Sequence, residues 1–314
     1  MRKVYYLDRS IHGFLFSLTL FSCESKLEGK VPLRHKGKFP TKEPLWLCYA
    51  LDMEKLVKLE PLYKLLRLLL WTGQLTDERA SSAIIVAPAS GGKTSSFEHV
   101  QCEQSLLLGD LTARSMKDIL SEKHKNVTHL LLGDMLAMFG HKKATVDLTK
   151  QIVAKLTGEV LTNDPWSGES IEPRSLGLIT AIPDKDFPRY QKEIDKGGFG
   201  SRFLIAKFSY GDKTKAEVHD HIMRNGYANG RPEAPFTMNN PGKKKVVLPL
   251  PVARKVKELG IDIARDPLGY RAHRQLRALV KASARSKNKG TASNSDFEAV
   301  EELRNFFVGD GKQL

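Results

Sequence analysis

The apolar residues of this 314-residue chain fall into short uninterrupted runs, separated by segments with helical spacing. Four such runs lie at 83–86, 105–108, 129–132 and 175–182. Short runs without polar alternation are typical of strands that are buried on both faces. Between them, apolar residues recur every three or four positions, which predicts helices. The alternation of strand and helix predicts an α/β fold with a parallel sheet flanked by helices.

A helical pattern also precedes the first of these strands. Between Asp52 and Trp71, leucines recur at spacings of three and four, and Pro61 interrupts them, which predicts two shorter helices or one kinked helix. The length and the charges of this segment exclude a membrane span. The apolar run at 11–23 is also too short to cross a bilayer, and we interpret it as a strand pair at the domain edge, with an export signal as the alternative.

The strand predicted at 83–86 leads into Ala87-Pro-Ala-Ser-Gly-Gly-Lys-Thr94, a phosphate-loop pattern with alanine in place of the commoner first glycine. Gly91 and Gly92 permit a tight turn that directs backbone N–H groups at phosphate oxygens. Lys93 supplies positive charge for the β- and γ-phosphates of ATP, Thr94 offers a hydroxyl to Mg²⁺, and the helix that follows points its positive end at the phosphates. An ordinary glycine-rich turn is the alternative. The predicted ATP-binding residues of this segment are Ala87, Ser90, Gly91, Gly92, Lys93, Thr94 and Ser95.

An acidic residue after a later strand completes the predicted metal site. Asp134 follows the run at 129–132, where phosphate-loop folds place the acid that holds Mg²⁺ through water. Asp110 is the other candidate for the metal-binding acid. The strand before it begins soon after the loop, and we expect that strand to lie directly beside the strand at 83–86, so we prefer Asp134. Met135 stands where a glutamate would orient the attacking water, which argues against fast hydrolysis. A substitute for that glutamate requires an acid that the fold brings near the phosphates. The candidates are Glu98, Glu103, Asp147 and Glu159.

Two further residues are candidates for contact with the γ-phosphate. Thr180, near the end of the fourth strand, is placed to meet the γ-phosphate or the attacking water, or is simply a threonine within the strand. Arg202 follows the glycine-rich turn at 197–200 and precedes another strand. It is a candidate to reach the phosphates of a neighbouring subunit and stabilise the transition state, or else to pair with a surface carboxylate.

The charge of the chain indicates an anionic partner. The formal net charge is +14, and the segment 243–289 contains 14 lysines and arginines against 3 acids. An excess of this size favours a partner such as nucleic acid. The cysteines, Cys23, Cys48 and Cys102, form no C-x-x-C pair. We therefore expect neither a disulfide framework nor a zinc site, and a reducing, cytoplasmic location.

Turn residues at 211–250 predict a connector to a small C-terminal helical unit. Its helices are predicted at 252–259, at 267–286, and from Ser295, where Ser-Asp-Phe-Glu fits a capping box. The second helix has an apolar side and a basic side. The basic side has three interpretations. It is a solvated surface, or it contacts the phosphates of nucleic acid. In the third, which is compatible with either, one of its arginines, Arg274 or Arg271, points at the nucleotide. The predicted nucleic-acid contacts are Arg271, Arg277, Lys281 and Arg285.

The order of these features resembles the AAA+ branch of phosphate-loop NTPases, over roughly residues 50–307. The C-terminal helices are similar to the lid of mini-chromosome-maintenance-like helicases, and residues 82–209 look like predicted ATPases of phages and other mobile elements. The resemblance implies a ring or filament of identical subunits, with nucleotide at their interfaces. On this resemblance Ala87–Thr94 is Walker A, Leu130–Asp134 is Walker B, Thr180 is sensor 1, Arg202 is an arginine finger and Arg274 is sensor 2.

We accordingly expect an N-terminal extension at 1–45, a P-loop NTPase core at 46–210, a connector at 211–250 and a basic helical lid at 251–314. The leading hypothesis is a motor or switch driven by ATP and Mg²⁺ that acts on DNA and does not contact membranes. The first alternative is a subunit that holds nucleotide without hydrolysing it and serves in assembly or regulation. The second is a DNA-binding protein whose glycine loop is purely structural.

Overall fold

The computed structural model describes residues 58–120, 124–158, 161–163, 168, 170–225, 236–264, 269–308 and 311–313. The predictions for the segment 1–45, for most of the helix between Asp52 and Pro61, and for Glu159 therefore lie outside the described residues. The strands are β1 (Ser82–Ala87), β2 (Ser105–Leu108), β3 (His129–Leu132), β4 (Leu161–Asn163), β5 (Ser170–Arg174), β6 (Gly177–Pro183), β7 (Phe203–Ser209) and β8 (Lys312–Gln313). The helices are α1 (Glu60–Thr72), α2 (Lys93–Val100), α3 (Ala113–Ile119), α4 (Met135–Phe139), α5 (Lys143–Gly158), α6 (Phe187–Asp195), α7 (Asp212–Asn225), α8 (Leu250–Asp262), α9 (Tyr270–Ser286), α10 (Asn294–Glu301) and α11 (Arg304–Phe307).

The central sheet has the order β2-β3-β6-β1-β7, with the two-residue β8 added beside β7. Every pairing in it is parallel. The predicted α/β fold with a parallel sheet flanked by helices is therefore confirmed. The neighbours of β1 are β6 and β7, so the expectation that the strand directly after the loop would lie beside β1 is wrong. Strands β4 and β5 form a separate antiparallel pair.

The uninterrupted apolar runs arise because each strand supplies two cores. In β1, Ala83 and Ile85 pack on one face with α1, α2 and the helices α8 to α11. Ile84 and Val86 point to the other face, where they pack with α3, α4, α5 and α6. Successive strand residues point to opposite faces, so a strand covered on both sides needs apolar residues at every position.

Helix α1 is single and begins at Glu60, with Pro61 in its first turn. A helix kinked at Pro61 is therefore wrong, because a proline in the first turn lacks only an N–H that has no helical partner there. The alternative of two shorter helices depends on residues 52–57, which lie outside the described residues. Among the described residues, no helix is long and apolar enough to cross a membrane.

The predicted connector contains a helix, α7, which occupies residues 212–225. The last part of the connector is also fixed, because Lys244 N donates to Gln74 O (3.0 Å) and Thr76 N donates to Lys244 O (3.2 Å). The prediction that residues 211–250 form an exposed connector throughout is therefore wrong for these two parts.

Helix α9 lies at the centre of the C-terminal helices and packs against α1, α8 and α10. Helix α8 continues through Gly260, which the sequence predicted to end it. A Cβ on Gly260 would lie 2.8 Å from His273 Cα, so the glycine permits the close approach of α8 to α9 instead of capping α8. The two helices, α1 and one face of the sheet share a continuous core.

The capping box of α10 lies two residues before the predicted one. Ser293, not Ser295, is the N-cap residue, and Asp296 closes the box. Asp296 is completely buried, and it accepts hydrogen bonds from Ser293 N (3.0 Å), Ser293 Oγ (2.7 Å) and Lys287 Nζ (2.7 Å). Burial alone would raise the pKa of this carboxyl, but the hydrogen bonds from Lys287 and Ser293 outweigh that effect and lower the pKa to about 2.

Replacement of Asp296 by alanine is expected to lower the free energy of unfolding by about 1–2 kcal/mol at neutral pH, because the N-cap donors of α10 lose their acceptor. Since the pKa of Asp296 in the folded protein lies below its ordinary value of about 3.9, its contribution is present above that pH and is lost as the pH falls through about 2. Urea unfolding from pH 7 to pH 2 measures both effects. Ser295→Ala is the control and should change stability little. A larger loss in Ser295→Ala than in Asp296→Ala would contradict the assignment.

Candidate phosphate-binding site

The segment between β1 and α2 reverses direction within a few residues. Gly91 N donates to Pro88 O (3.0 Å), which closes a tight turn. Ser90 (φ 61°) and Gly92 (φ 76°) both adopt the left-handed conformation, which glycine enters at little cost. A Cβ on Gly91 would lie 2.9 Å from Pro88 O, so the two glycines are needed for different reasons, close approach at Gly91 and backbone conformation at Gly92.

Helix α2 begins directly at the end of this loop, and no described side chain caps it. Its N-cap residue is Gly92, whose carbonyl accepts from Ser96 N (2.8 Å). The N–H groups of Lys93, Thr94 and Ser95 lie in the first helical turn, where backbone donors have no partner within the helix. An uncapped helix start of this kind is suited to bind an anion.

Lys93 folds back over the loop and is half-buried. Its Nζ donates to Ala87 O (2.9 Å) and Pro88 O (2.6 Å), which leaves one of the three ammonium donors for another acceptor. Burial lowers the pKa of Lys93, and the carboxylates of Asp184 and Asp134 oppose that effect. The positive charge of Lys93 is thus held at the carboxyl edge of the sheet, within the field of two acids.

Thr94 lies beside the end of β3. A Cβ on Gly133 would lie 3.5 Å from Thr94 Cγ2 and 3.8 Å from Thr94 Oγ1, and the next residue is Asp134. Asp134 is exposed, and its Oδ1 accepts from Leu136 N (2.9 Å) at the start of α4. The structure therefore brings Thr94 and Asp134 to the same edge. A hydroxyl and a carboxylate are oxygen ligands of the kind that Mg²⁺ prefers.

The rival acid, Asp110, is turned to other partners. Its Oδ1 accepts from Leu111 N (2.7 Å), and its Oδ2 lies 2.7 Å from His141 Nε2. It also follows β2, the outermost strand, so that β3 and β6 both separate it from β1. The geometry therefore favours Asp134 over Asp110 as the metal-binding acid.

Asp184 is a member of this site that the sequence reasoning missed. It follows β6, the strand that lies between β1 and β3, and its N–H donates to Ala87 O (3.0 Å). It is exposed, and among the acids that act on Lys93 it has the stronger effect. The signal was the same as for Asp134, an acid that follows a buried strand.

The position where a glutamate would orient the attacking water is occupied by Met135, which is fully buried. Of the predicted substitute acids, Glu98, Glu103 and Asp147 are not among the charges that act on Lys93.

Two residues from outside the loop, Tyr210 and Leu59, pack against it. The Tyr210 hydroxyl, at the end of β7, donates to Gly91 O (3.4 Å), and burial raises the pKa of Tyr210 to about 12. Leu59, just before α1, lies against Gly92, since a Cβ there would be 2.9 Å from Leu59 Cδ1. The loop thus rests on α1 and β7 as well as on its own turn.

Thr180 lies further from the loop than predicted. It is the central residue of β6, paired with Ile84 of β1 and Leu132 of β3. The residue of β6 level with Ala87 is Pro183, three positions and about 10 Å further along the strand. Thr180 is fully buried, and its hydroxyl has no hydrogen-bond partner among the described residues. Its predicted contact with the γ-phosphate is therefore wrong for this conformation.

Arg202 and Arg274 lie together, but at the opposite edge of the sheet from Lys93. Arg202 directly precedes β7, whose first residue pairs with Ser82 at the amino end of β1. The five residue steps of β1 span about 17 Å. Arg274 lines a small cleft with Arg202, Arg79 and Ser82. Burial, and then the charges of Arg79, Arg271 and Arg202, lower the pKa of the Arg274 guanidinium, while Glu78 opposes them. Arg274 therefore does not point at a nucleotide in its own subunit's loop, and that prediction is wrong.

The basic side of α9 is used within the protein. Lys281 is buried, and its Nζ forms ion pairs with Asp77 (2.6 Å) and Glu78 (2.7 Å). Arg277 Nε lies 2.7 Å from the same Glu78 carboxylate. These pairs fasten α9 to the turn between α1 and β1.

Two more arginines of α9 bind backbone oxygens. Arg271 donates to Gly198 O (3.1 Å) and contacts Ser201 Oγ. Arg285 is 1% exposed, donates to Asn240 O (2.6 Å) and Gly242 O (3.0 Å), and packs on the Trp71 ring. Lys281 and Arg285 are buried, so the prediction that they contact nucleic acid is wrong, because the helical spacing that places residues on one side of α9 says nothing about what covers that side. For Arg271 and Arg277, which are partly exposed, contact with nucleic acid stays a prediction.

Among the described residues, no group of three or more histidine, cysteine, aspartate or glutamate side chains is arranged to hold a metal ion. A magnesium site of the kind considered above depends on a phosphate ligand in addition to Thr94 and Asp134.

In comparisons with known proteins, no family model matches this chain, and no curated protein matches it.

Replacement of Lys281 by alanine is expected to lower the free energy of unfolding by about 3–5 kcal/mol, because it leaves the Glu78 carboxylate, which is 2% exposed, without one of its two cations. Lys281→Met keeps the packing of the stem and separates the loss of charge from the loss of volume. Urea or thermal unfolding gives the values. The matched control is Lys257→Ala, an exposed lysine on α8, which should change stability by less than about 0.5 kcal/mol. Equal effects of Lys281→Ala and Lys257→Ala would contradict the structural role of Lys281.

Proposed function

We propose that this chain is a P-loop NTPase of the AAA+ type that binds ATP with Mg²⁺ and acts on DNA. The observation that supports nucleotide binding best is the uncapped start of α2 next to Lys93, with Thr94 beside Asp134 at the carboxyl edge of the sheet. Backbone donors, a lysine, a hydroxyl and an acid in this arrangement fit a polyphosphate with a bound cation. A purely structural glycine turn does not require the lysine, the hydroxyl or the acid.

Within this proposal each residue of the loop has a distinct task. The N–H groups that follow Gly91 and Gly92 bind phosphate oxygens, and Lys93 exchanges its bonds to the Ala87 and Pro88 carbonyls for the β- and γ-phosphates. Thr94 and Asp134 would hold Mg²⁺, the second of them through water. Held there, Mg²⁺ would supply positive charge for the phosphates.

Asp184 is our candidate for the carboxylate that orients the attacking water. The glutamate expected after Asp134 is replaced by the buried Met135, whereas Asp184 is exposed at the end of the adjacent strand and acts on the charge of Lys93. A carboxylate in that position can accept a proton from the water as it attacks. The buried Met135 favours the second candidate function, a subunit that holds nucleotide without hydrolysing it.

The separation between the two edges of the sheet supports the proposed oligomer. Arg202 and Arg274 lie at the amino edge, and the loop lies at the carboxyl edge. The two arginines are thus suited to contact the nucleotide of a neighbouring subunit, and not that of their own subunit. A homo-oligomer with nucleotide at subunit interfaces is consistent with that separation.

Replacement of Lys93 by alanine is expected to weaken ATP binding about 10- to 100-fold, because the phosphates lose one charge-assisted hydrogen-bond donor. Titration of a fluorescent ATP analogue in the presence of Mg²⁺ measures the affinity. The control is Lys155→Ala, an exposed lysine on α5, which should bind as the unaltered protein does. Equal affinity of the Lys93→Ala variant and the unaltered protein would reject the proposed site.

Replacement of Asp184 by asparagine is expected to reduce phosphate release about 100-fold or more, with ATP affinity changed little, because the amide cannot accept the proton. Steady-state phosphate release, with and without DNA, is the measurement, and Asp186→Asn, two residues further along, is the matched control. If the unaltered protein binds ATP but releases no phosphate at any DNA concentration, the non-hydrolysing function is correct. Unchanged release in Asp184→Asn would remove Asp184 from the reaction but leave nucleotide binding intact.

A further inference from the structure

Five lysines from two distant segments meet on one exposed surface. Lys243, Lys244 and Lys245 end the connector, and Lys287 and Lys289 follow α9. The two segments lie side by side, because Lys244 Nζ donates to Asn288 Oδ1 (3.3 Å), Val247 N donates to Gly290 O (2.9 Å) and Ala292 N donates to Val247 O (2.9 Å). We call these five residues the lysine surface.

The lysine surface carries a net positive charge that the described residues around it do not neutralise. Lys287 and Lys289 lie 2.7 Å and 3.5 Å from the carboxylate of Asp296. That single buried acid serves both lysines and also caps α10. Lys243, Lys244 and Lys245 form no ion pair with any described residue, and the Lys244 ammonium donates to the uncharged amide of Asn288. The nearby Asp77 and Glu78 are already paired with Lys281 and Arg277.

The backbone beneath the lysines is fixed. Arg285, buried under it, binds the carbonyls of Asn240 and Gly242, directly before Lys243. Gly242 N also donates to Gln74 Oε1 (2.9 Å), and Lys244 pairs with the chain at Leu75. Such a surface binds a charged partner without the cost of ordering a flexible segment.

We propose that the lysine surface binds the phosphate backbone of nucleic acid. It is the contact surface for the DNA partner proposed above, and it takes the place of the buried Lys281 and Arg285 in that role. Lysines flanked by exposed asparagine and threonine, here Asn239, Asn240 and Thr291, are the groups that bind phosphates without reading sequence.

The chemistry of the surface favours nucleic acid over other anionic partners. Beside the lysines in the chain, Val247 is exposed, whereas Val246 is buried. A membrane surface requires a face of several apolar side chains that enter the lipid. A stable protein interface requires an apolar or aromatic core. The two exposed apolar side chains of this segment, Val247 and Leu250, are too few to form such a face or such a core.

The test is fluorescence anisotropy of labelled oligonucleotides, single-stranded and double-stranded, of mixed sequence, between 50 and 200 mM salt. The unaltered protein should bind, with an affinity that falls steeply as salt rises. In the variant Lys243→Gln/Lys244→Gln/Lys245→Gln, affinity at about 0.1 M salt should fall at least about tenfold, and the slope of log K against log salt should become shallower by about 2–3. These lysines form no ion pair with the part of the chain that the structure describes, and an unchanged urea-unfolding midpoint confirms that the variant is folded.

The matched control removes three exposed lysines elsewhere, Lys155→Gln/Lys192→Gln/Lys196→Gln on and beside α5 and α6, with the same loss of net charge. It should bind nearly as the unaltered protein does. Equal losses in the two triple variants would reject the lysine surface, as would absence of binding by the unaltered protein or a preference for vesicles of anionic lipid over oligonucleotides. Lys93→Ala, assayed without ATP, should keep the binding, so failure of the nucleotide site and failure of this surface are distinguished.

Discussion

The candidate site depends on the burial of β1 between two strands and two layers of helices. Its residues are completely or almost completely buried, and it pairs with β6 on one side and β7 on the other. A strand held in this way cannot shift along its axis without breaking both ladders and exposing both cores. The position of Ala87 is therefore fixed, and the turn that follows starts from a fixed point. Everything that surrounds Lys93 is located relative to that point.

The second determinant is the use of charge inside the protein. Residues on the basic side of α9 neutralise Asp77 and Glu78 or satisfy carbonyl oxygens of the connector. A buried carboxylate without a partner is strongly destabilising, and an unsatisfied buried carbonyl also costs free energy. The basic residues in this part of the chain thus fall into two groups. Those on α9 attach the helices to the sheet, and those on the connector and after α9 face solvent.

The sequence was sufficient for local features and for fold class, but not for the arrangement of distant elements. Strand positions, the loop and its helix follow from local apolar runs and glycines. The order of strands does not, because nothing in a short apolar run specifies its neighbours. For that reason Asp184 was missed, although it follows β6 just as Asp134 follows β3. Helix periodicity likewise grouped Arg277 and Lys281 on one side of α9, but only the fold shows that Glu78 lies against that side.

The ion pairs between α9 and Glu78 have a consequence for movement within the subunit. Glu78 is four residues before β1, and α9 shares a continuous core with α1, α8 and α10. A hinge that moved these helices away from the sheet would break the ion pairs of Glu78 with Arg277 and Lys281 and expose the apolar core that the helices share with the sheet. The ion pairs and the shared core therefore oppose such a movement. In the proposed oligomer, a signal that starts at the loop would leave the subunit by rotation of the helices and strands together against its neighbours, and not by the closing of a flap.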